Sequence, residues 1–273
     1  MVKKVLFLTM ALWIFGGYTW ASQDTRLLEA TKKGNLTLVK KLIAGGADVN
    51  YQDRSGKSPL HHACYLGYLD ILKELIKNGA DINSTVPELH LTPLHAATMN
   101  GNLESVAYLV EHGAEMNAMD NEGATPLLPA CWIGTIDVVK YLIAKGAEFD
   151  VETNDGKTPL FYACQSGNIE LVRYCIKNGC DINAQAMNGS TPLHMAVAIG
   201  NNSVVEELIK GGAKSNFKIE SDFTVSFCLK APILKDDDIK HITLFMNQTP
   251  LDVAKDRGYK EIISLLKKAE HQF

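Results

Sequence analysis

Nowhere in its 273 residues does the chain run about 20 apolar residues together, the length a bilayer-spanning helix requires, so no membrane span is expected. An excess of basic charge is missing as well. Lys and Arg number 27 against 31 Asp and Glu, a net charge of −4, and the cations are scattered singly, which argues against a nucleic-acid surface. Catalytic signatures are also lacking. There is no G-x-S-x-G, no H-E-x-x-H, no phosphate-cradling glycine loop and no Cys-x-x-Cys. No enzyme activity, cofactor or metal is therefore expected. With 46% hydrophobic and 21% charged residues, the chain carries enough apolar material to escape disorder.

What is present begins with Lys3 and Lys4 ahead of VLFLTMALWIF, an apolar stretch of 11 residues that closes on GGYTWA. A charged start, a short apolar middle and small residues at Thr19 and Ala21 form the pattern of a secretory signal peptide. The expectation is cleavage after Ala21, giving an exported chain of residues 22–273, periplasmic or secreted and free of the membrane. That chain carries 25 basic and 31 acidic residues, a net charge of −6. The sequons at Asn35, Asn83, Asn188, Asn201 and Asn247 mostly fall at fixed points of the repeat described next. They are read as coincidental, which fits a bacterial exported protein.

Self-comparison finds Ser/Thr-Pro-Leu-x at Ser58, Thr92, Thr125, Thr158, Thr191 and Thr249, with steps of 34, 33, 33, 33 and 58 residues. Ser or Thr at an N-cap accepts a hydrogen bond from an orphan backbone N–H, and proline at the first helical position is preset for helical φ. A glycine such as Gly67, Gly101 or Gly134 then ends the first helix, where a left-handed cap favours it. SPLHHA, TPLHAA and TPLHMA, followed by GADVN, GADIN, GAEMN and GCDIN, resemble the ankyrin repeat. The resemblance covers residues 24–273 and implies an all-α repeat solenoid of seven helix-turn-helix repeats with β-hairpin tips. The repeats run over 24–53, 54–86, 87–120, 121–153, 154–186, 187–218 and 243–273, with degenerate capping repeats at both ends. It also implies that His61, His95 and His194 tie neighbouring repeats by hydrogen bonds. Leu128, Phe161 and Asp252 hold the same position, so packing carries those junctions.

In proteins of this type the two residues before each capping glycine lie on a concave groove. Here they are Tyr65-Leu66, Met99-Asn100, Trp132-Ile133, Gln165-Ser166 and Ala198-Ile199. A solvated face is polar, whereas Tyr65, Leu66, Met99, Trp132 and Ile133 form an apolar ridge of the kind that marks interaction sites. Leu89, in the long tip VPELHL, extends it, and the charged tip residues Arg54, Lys57, Glu122, Asp155 and Lys157 set orientation. The expectation is a monomeric, non-catalytic module that binds another protein in this groove. An inhibitor or immunity factor, a regulator of an exported enzyme, and a host-directed effector all fit. The alternatives are a passive structural scaffold, or a redox enzyme using the thiol of Cys175 or Cys180.

The last step exceeds the period by 25 residues. That insertion, near 219–242, alternates apolar and polar residues in DFTVSFCLK and IKHITLF, as half-buried strands do, and is expected to form a long hairpin. Asp236, Asp237 and Asp238 lack the further spaced oxygens a calcium site needs. Of the six cysteines, Cys64, Cys131 and Cys164 share one inward position that Thr98 and Val197 fill elsewhere, so small buried thiols are expected there. Cys175 stands where other second helices carry Leu, Cys180 replaces the alanine of the GAD motif, and Cys228 lies in the insertion without an evident mate.

Overall fold

The computed structural model describes residues 22–228 and 239–270. Residues 1–21, expected above to be a signal peptide, and Asp236–Asp238 lie outside these. Fourteen helices and one two-stranded sheet make up the described chain. The helices come in antiparallel pairs: α1 (Gln23–Lys32) and α2 (Leu36–Ala44), α3 (Pro59–Leu66) and α4 (Leu69–Lys77), α5 (Pro93–Asn100) and α6 (Leu103–Glu111), α7 (Leu127–Ile133) and α8 (Ile136–Ala144). They continue with α9 (Pro159–Ser166) and α10 (Ile169–Lys177), α11 (Pro192–Ile199) and α12 (Asn202–Lys210), then, after β1 (Phe223–Cys228) and β2 (Ile239–Leu244), α13 (Pro250–Asp256) and α14 (Lys260–Glu270). The alternating stretches of the insertion pair antiparallel, Phe223 opposite Leu244 through Cys228 opposite Ile239.

The core is one continuous stripe down the stack. The leucine of the first five tetrapeptides, at positions 60, 94, 127, 160 and 193, is wholly buried, each contributing about 1.5–3 kcal/mol of burial, while Leu251 of the sixth is half-buried. The second helices are amphipathic. In α4, Ile71, Leu72 and Leu75 face in while Asp70, Lys73 and Lys77 face water. Between repeats the chain folds back in tight tips closed by a main-chain bond, such as Asp53 N–H to the Lys57 carbonyl at 3.0 Å, rather than by a strand ladder. The tips also stack. Asn121 N–H bonds the Leu89 carbonyl at 3.1 Å, Asn154 N–H that of Glu122 at 2.7 Å, and Met187 N–H that of Asp155 at 2.8 Å.

Two kinds of side-chain clamp lock neighbouring repeats. The imidazole Nε2 of His61 meets the Leu91 carbonyl at 3.0 Å, His95 that of Ala124 at 3.0 Å, and His194 that of Gln248 at 3.3 Å. The asparagine of the second signature reaches across on the other side. Asn50 donates to the Gly79 carbonyl at 3.1 Å and accepts from Asp81 N–H at 2.8 Å. Asn83 does the same with Gly113 and Glu115, and Asn183 with Gly212 and Lys214.

The N-cap bond expected throughout forms at Ser58, Thr92, Thr191 and Thr249 but fails at Thr125 and Thr158. Their hydroxyls are buried and, among the described residues, have no partner. The cause lies three residues on. At Thr92, His95 Nδ1 meets both the cap N–H, at 3.2 Å, and the hydroxyl, at 2.9 Å, closing the box. At Thr249 the Asp252 carboxylate takes the imidazole's place, accepting from the cap N–H at 3.1 Å and from the hydroxyl at 2.7 Å, whereas Leu128 and Phe161 have no polar side-chain atom to offer. Thr92→Val is therefore expected to cost about 1–2 kcal/mol of unfolding free energy in urea titrations, while Thr125→Val costs less than about 0.5 kcal/mol because its hydroxyl is already unpaired. Equal losses at the two positions would refute this account of the caps.

Candidate functional site: an acidic-rimmed apolar recess in the groove

The first helix of the fourth repeat differs from its neighbours at Pro129. In the others the fifth residue of the motif donates to the cap carbonyl, as Ala96 does to Thr92 at 3.2 Å and Tyr162 to Thr158 at 3.3 Å. Proline has no N–H to give. The first turn instead tightens, with Leu128 N–H bonding the Thr125 carbonyl at 3.0 Å, and α7 begins one residue late at Leu127.

The compact Pro129 ring leaves a recess of about 240 Å³ on the concave side. Leu128, Pro129 and Ala124 form its floor; Met99 from α5, Trp132 from α7, Tyr162 from α9 and the tip residues Leu89 and Leu91 form its walls. Its rim is Asp120, Asn121 and Glu122. Leu89 is 42% exposed, and Trp132, Met99, Leu91 and Tyr162 are half-buried, so apolar surface remains open to water.

Negative charge gathers on this rim without compensation. One Asp120 oxygen accepts the N–H groups of Glu122, at 2.9 Å, and Ala124, at 2.8 Å, which pins the turn. Neither Asp120 nor Glu122 joins an ion pair among the described residues. The equivalent Asp53, two repeats earlier, has both His62 at 2.9 Å and Lys32 at 3.7 Å beside it. Burial, together with the carboxylates of Asp155 and Glu122, pushes the Tyr162 phenol well above its usual range and keeps it protonated.

Of the residues singled out from sequence, the recess unites Leu89, Met99, Trp132 and Glu122. The others lie outside it. Tyr65 is half-buried and packs on the core. Ile133 sits under Gly101, where φ is 77° and any Cβ would come within 2.7 Å of Thr135 Cγ2 and 3.7 Å of Ile133 Cγ2. Asn100, Ile133 and Ser166 thus lie against the capping glycine of the preceding repeat; Asn100 is buried and donates to the Tyr65 carbonyl at 3.0 Å. Leu66 is half-buried and is not among the residues that line this recess. Arg54 is exposed on its tip, and Lys57 is half-buried. Asp155 pairs with Lys157 at 2.7 Å, so these two charges largely cancel. Sequence reasoning passed over Leu128, Pro129, Tyr162 and Asp120 as lining residues, while Leu91 was expected in the long tip with Leu89, beside Met99. It also passed over the exposed Met119, Met187, Phe245 and Met246, at 61%, 77%, 54% and 56% exposure. The register of the tips, which aligns Met187 with the polar Asn121 and Asn154, was the available signal.

The cysteines are all free thiols among the described residues. Cys64, Cys131 and Cys164 are wholly buried, and burial pushes their thiols far above the usual range. The side chain of Cys228 lies outside the described residues.

A stack of paired helices with an open concave recess defines a repeat solenoid of the protein-binding kind. The chain belongs to the ankyrin-repeat family: profiles described as "Ankyrin repeats (3 copies)" match residues 86–153 and 127–219, and "Ankyrin repeats (many copies)" match 27–73 and 60–110. Ankyrin repeats are general protein–protein interaction modules, typically without catalytic activity. Among curated proteins, a stretch of 52 residues is 42% identical to the rat "Arf-GAP with coiled-coil, ANK repeat and PH domain-containing protein 2", covering 18% of this chain and 7% of that protein. A stretch of 44 residues is 43% identical to "Myotrophin" of Xenopus laevis, covering 16% of this chain and 37% of that protein. The chain thus spans a minor part of the relatives it matches.

Proposed function

We propose that the chain is an exported, monomeric, non-catalytic binding module. Its groove takes an extended segment of another protein whose large apolar side chain enters the recess beside Trp132 and whose adjacent Lys or Arg meets Asp120 and Glu122. The observation that carries this reading is the conjunction of an open apolar recess with two carboxylates that, among the described residues, join no ion pair. Apolar surface left open marks interaction sites, and complementary charge steers and selects the partner.

Peptides displayed at random and selected on the chain from residue 22 should converge on an aromatic or long aliphatic residue next to Lys or Arg. Selection on the D120N/E122Q variant should keep the apolar anchor and lose the basic neighbour. Selected peptides without charge preference, or equally rich in Glu, would remove the proposed recognition.

Export rests on Lys3, Lys4 and the 11-residue apolar stretch that follows. Expression of the full gene in a bacterium should yield a periplasmic product whose first residue is Ser22. Recovery of an intact Met1 product from the cytoplasm would disprove it.

A further inference from the structure

Every complete second helix in the stack ends in the same way. The N–H of a residue just past the helix folds back to the carbonyl of the residue five places before it, the main-chain bond of a Schellman cap, which an apolar contact near the helix end frequently accompanies. Five times the pair is leucine and alanine. Ala47 bonds Leu42 at 3.1 Å, Ala80 bonds Leu75 at 3.0 Å, Ala114 bonds Leu109 at 3.0 Å, Ala147 bonds Leu142 at 2.9 Å and Ala213 bonds Leu208 at 2.9 Å. In the fifth repeat both members are replaced together. Cys180 N–H bonds the Cys175 carbonyl at 3.1 Å, and two thiols meet where leucine and alanine meet elsewhere.

We infer that Cys175 and Cys180 are a dithiol site that closes reversibly to a disulfide across the end of α10. Three features support this. The cap holds the two main chains together before any bond forms, so closure demands little rearrangement. The two sulfurs lie within hydrogen-bonding reach of one another. Cys180 is part-exposed whereas Cys175 is buried, so the pair has one member within reach of a reagent.

The order of events follows from the surroundings. The Cys175 thiol and the main-chain N–H of Leu160, in the first turn of α9, both stabilise a thiolate at Cys180 and draw its ionisation downward despite burial. A thiolate at a helix N-terminus is the form that attacks disulfides. The oxidant class is a small-molecule disulfide such as oxidised glutathione. The Cys180 thiolate attacks one of its sulfurs, a mixed disulfide forms, and one glutathione thiolate leaves. Cys175 passes its proton to that thiolate and attacks the Cys180 sulfur, and the second glutathione departs. Two protein thiols are oxidised and one disulfide is reduced to two thiols, with exchange proceeding through the mixed disulfide.

Lys177 lies between the two cysteines, so trypsin separates them and a disulfide shows as two linked peptides. The folded chain is incubated with oxidised glutathione, blocked with an alkylating reagent, unfolded and digested. The expected product is the peptide holding Cys175 joined to the one holding Cys180, lost on reduction. Cys175→Leu alone should halt at glutathione on Cys180. C175L/C180A, which restores the pair of the other repeats, should fold with an unchanged circular-dichroism spectrum and give no adduct in this region. Both cysteines recovered as free thiols after unfolding, or glutathione on Cys175 ahead of Cys180, would overturn the inference.

Discussion

Lowering the pH from 7 to 4 should strip several kcal/mol from the stability of the array before any carboxylate-led unfolding begins. His194 is wholly buried, and burial takes its pKa from the ordinary 6.5 to about 4, against the opposing pull of its bond to the Gln248 carbonyl. The folded chain therefore keeps this ring neutral where the unfolded chain protonates it. As pH falls through 6.5 the unfolded state gains a proton the native state refuses, and the difference stops growing near pH 4. Between those limits His194 alone withdraws about 3 kcal/mol. Burial shifts His61 and His95 in the same direction, so they steepen the loss. Asp53 does not share this window. Burial works against its ionisation, but hydrogen bonds from Ser55, His62 and Lys57 outweigh it and hold the carboxyl far below the usual range. Urea midpoints measured from pH 7 to pH 4 should fall steeply in the native sequence and less steeply in His194→Leu, which copies Leu128 at the equivalent position. A flat profile between pH 6.5 and 4.5 would mean that the clamps are not buried neutral rings.

Trp132→Ala should weaken binding of a peptide selected on the groove by about 2 kcal/mol or more, roughly thirty-fold in Kd. The indole is the largest wall of the recess, and its removal leaves the partner's anchor exposed to water on one side. Tyr65→Ala is the matched control. It removes a comparable aromatic from the same face, but Tyr65 packs on the core beyond the recess, so Kd should change no more than about two-fold, far short of a hot-spot effect. Melting curves of the two variants show whether either has lost the fold. The same Kd for Trp132→Ala and the native sequence would end the case for the recess.

The repeats were legible because each is announced locally: a cap, a proline, a leucine, and a glycine that must turn left-handed. The three histidine clamps followed from the same words. The recess was legible only in part. Trp132 and Met99 could be placed on the groove from their position before the capping glycine, and Leu89 from the extra residue in its tip. Asp120, Pro129 and Tyr162 come together only when three repeats stack, and no local pattern records which side chains then share a hollow. The same blindness covers Ile133, which is half-buried beside Gly101 of the preceding repeat and is not among the residues that line the recess. The failed caps at Thr125 and Thr158 show the converse. The cap residue was right in both, but its bond depended on a polar side chain three residues on, histidine or aspartate, that is absent from each.

The clamps also leave a seam. At the border between the fourth and fifth repeats the histidine position is Leu128 and the asparagine position is Asp150, and neither a hydrocarbon nor a carboxylate can donate to a carbonyl. Trp132 and Tyr162 stand on opposite banks of this border. The border is held instead by packing and by the amides of Asn154 and Asn168, which donate to the Asn121 and Gly134 carbonyls at 3.1 and 2.8 Å, and whatever grips the recess acts as a splint across it.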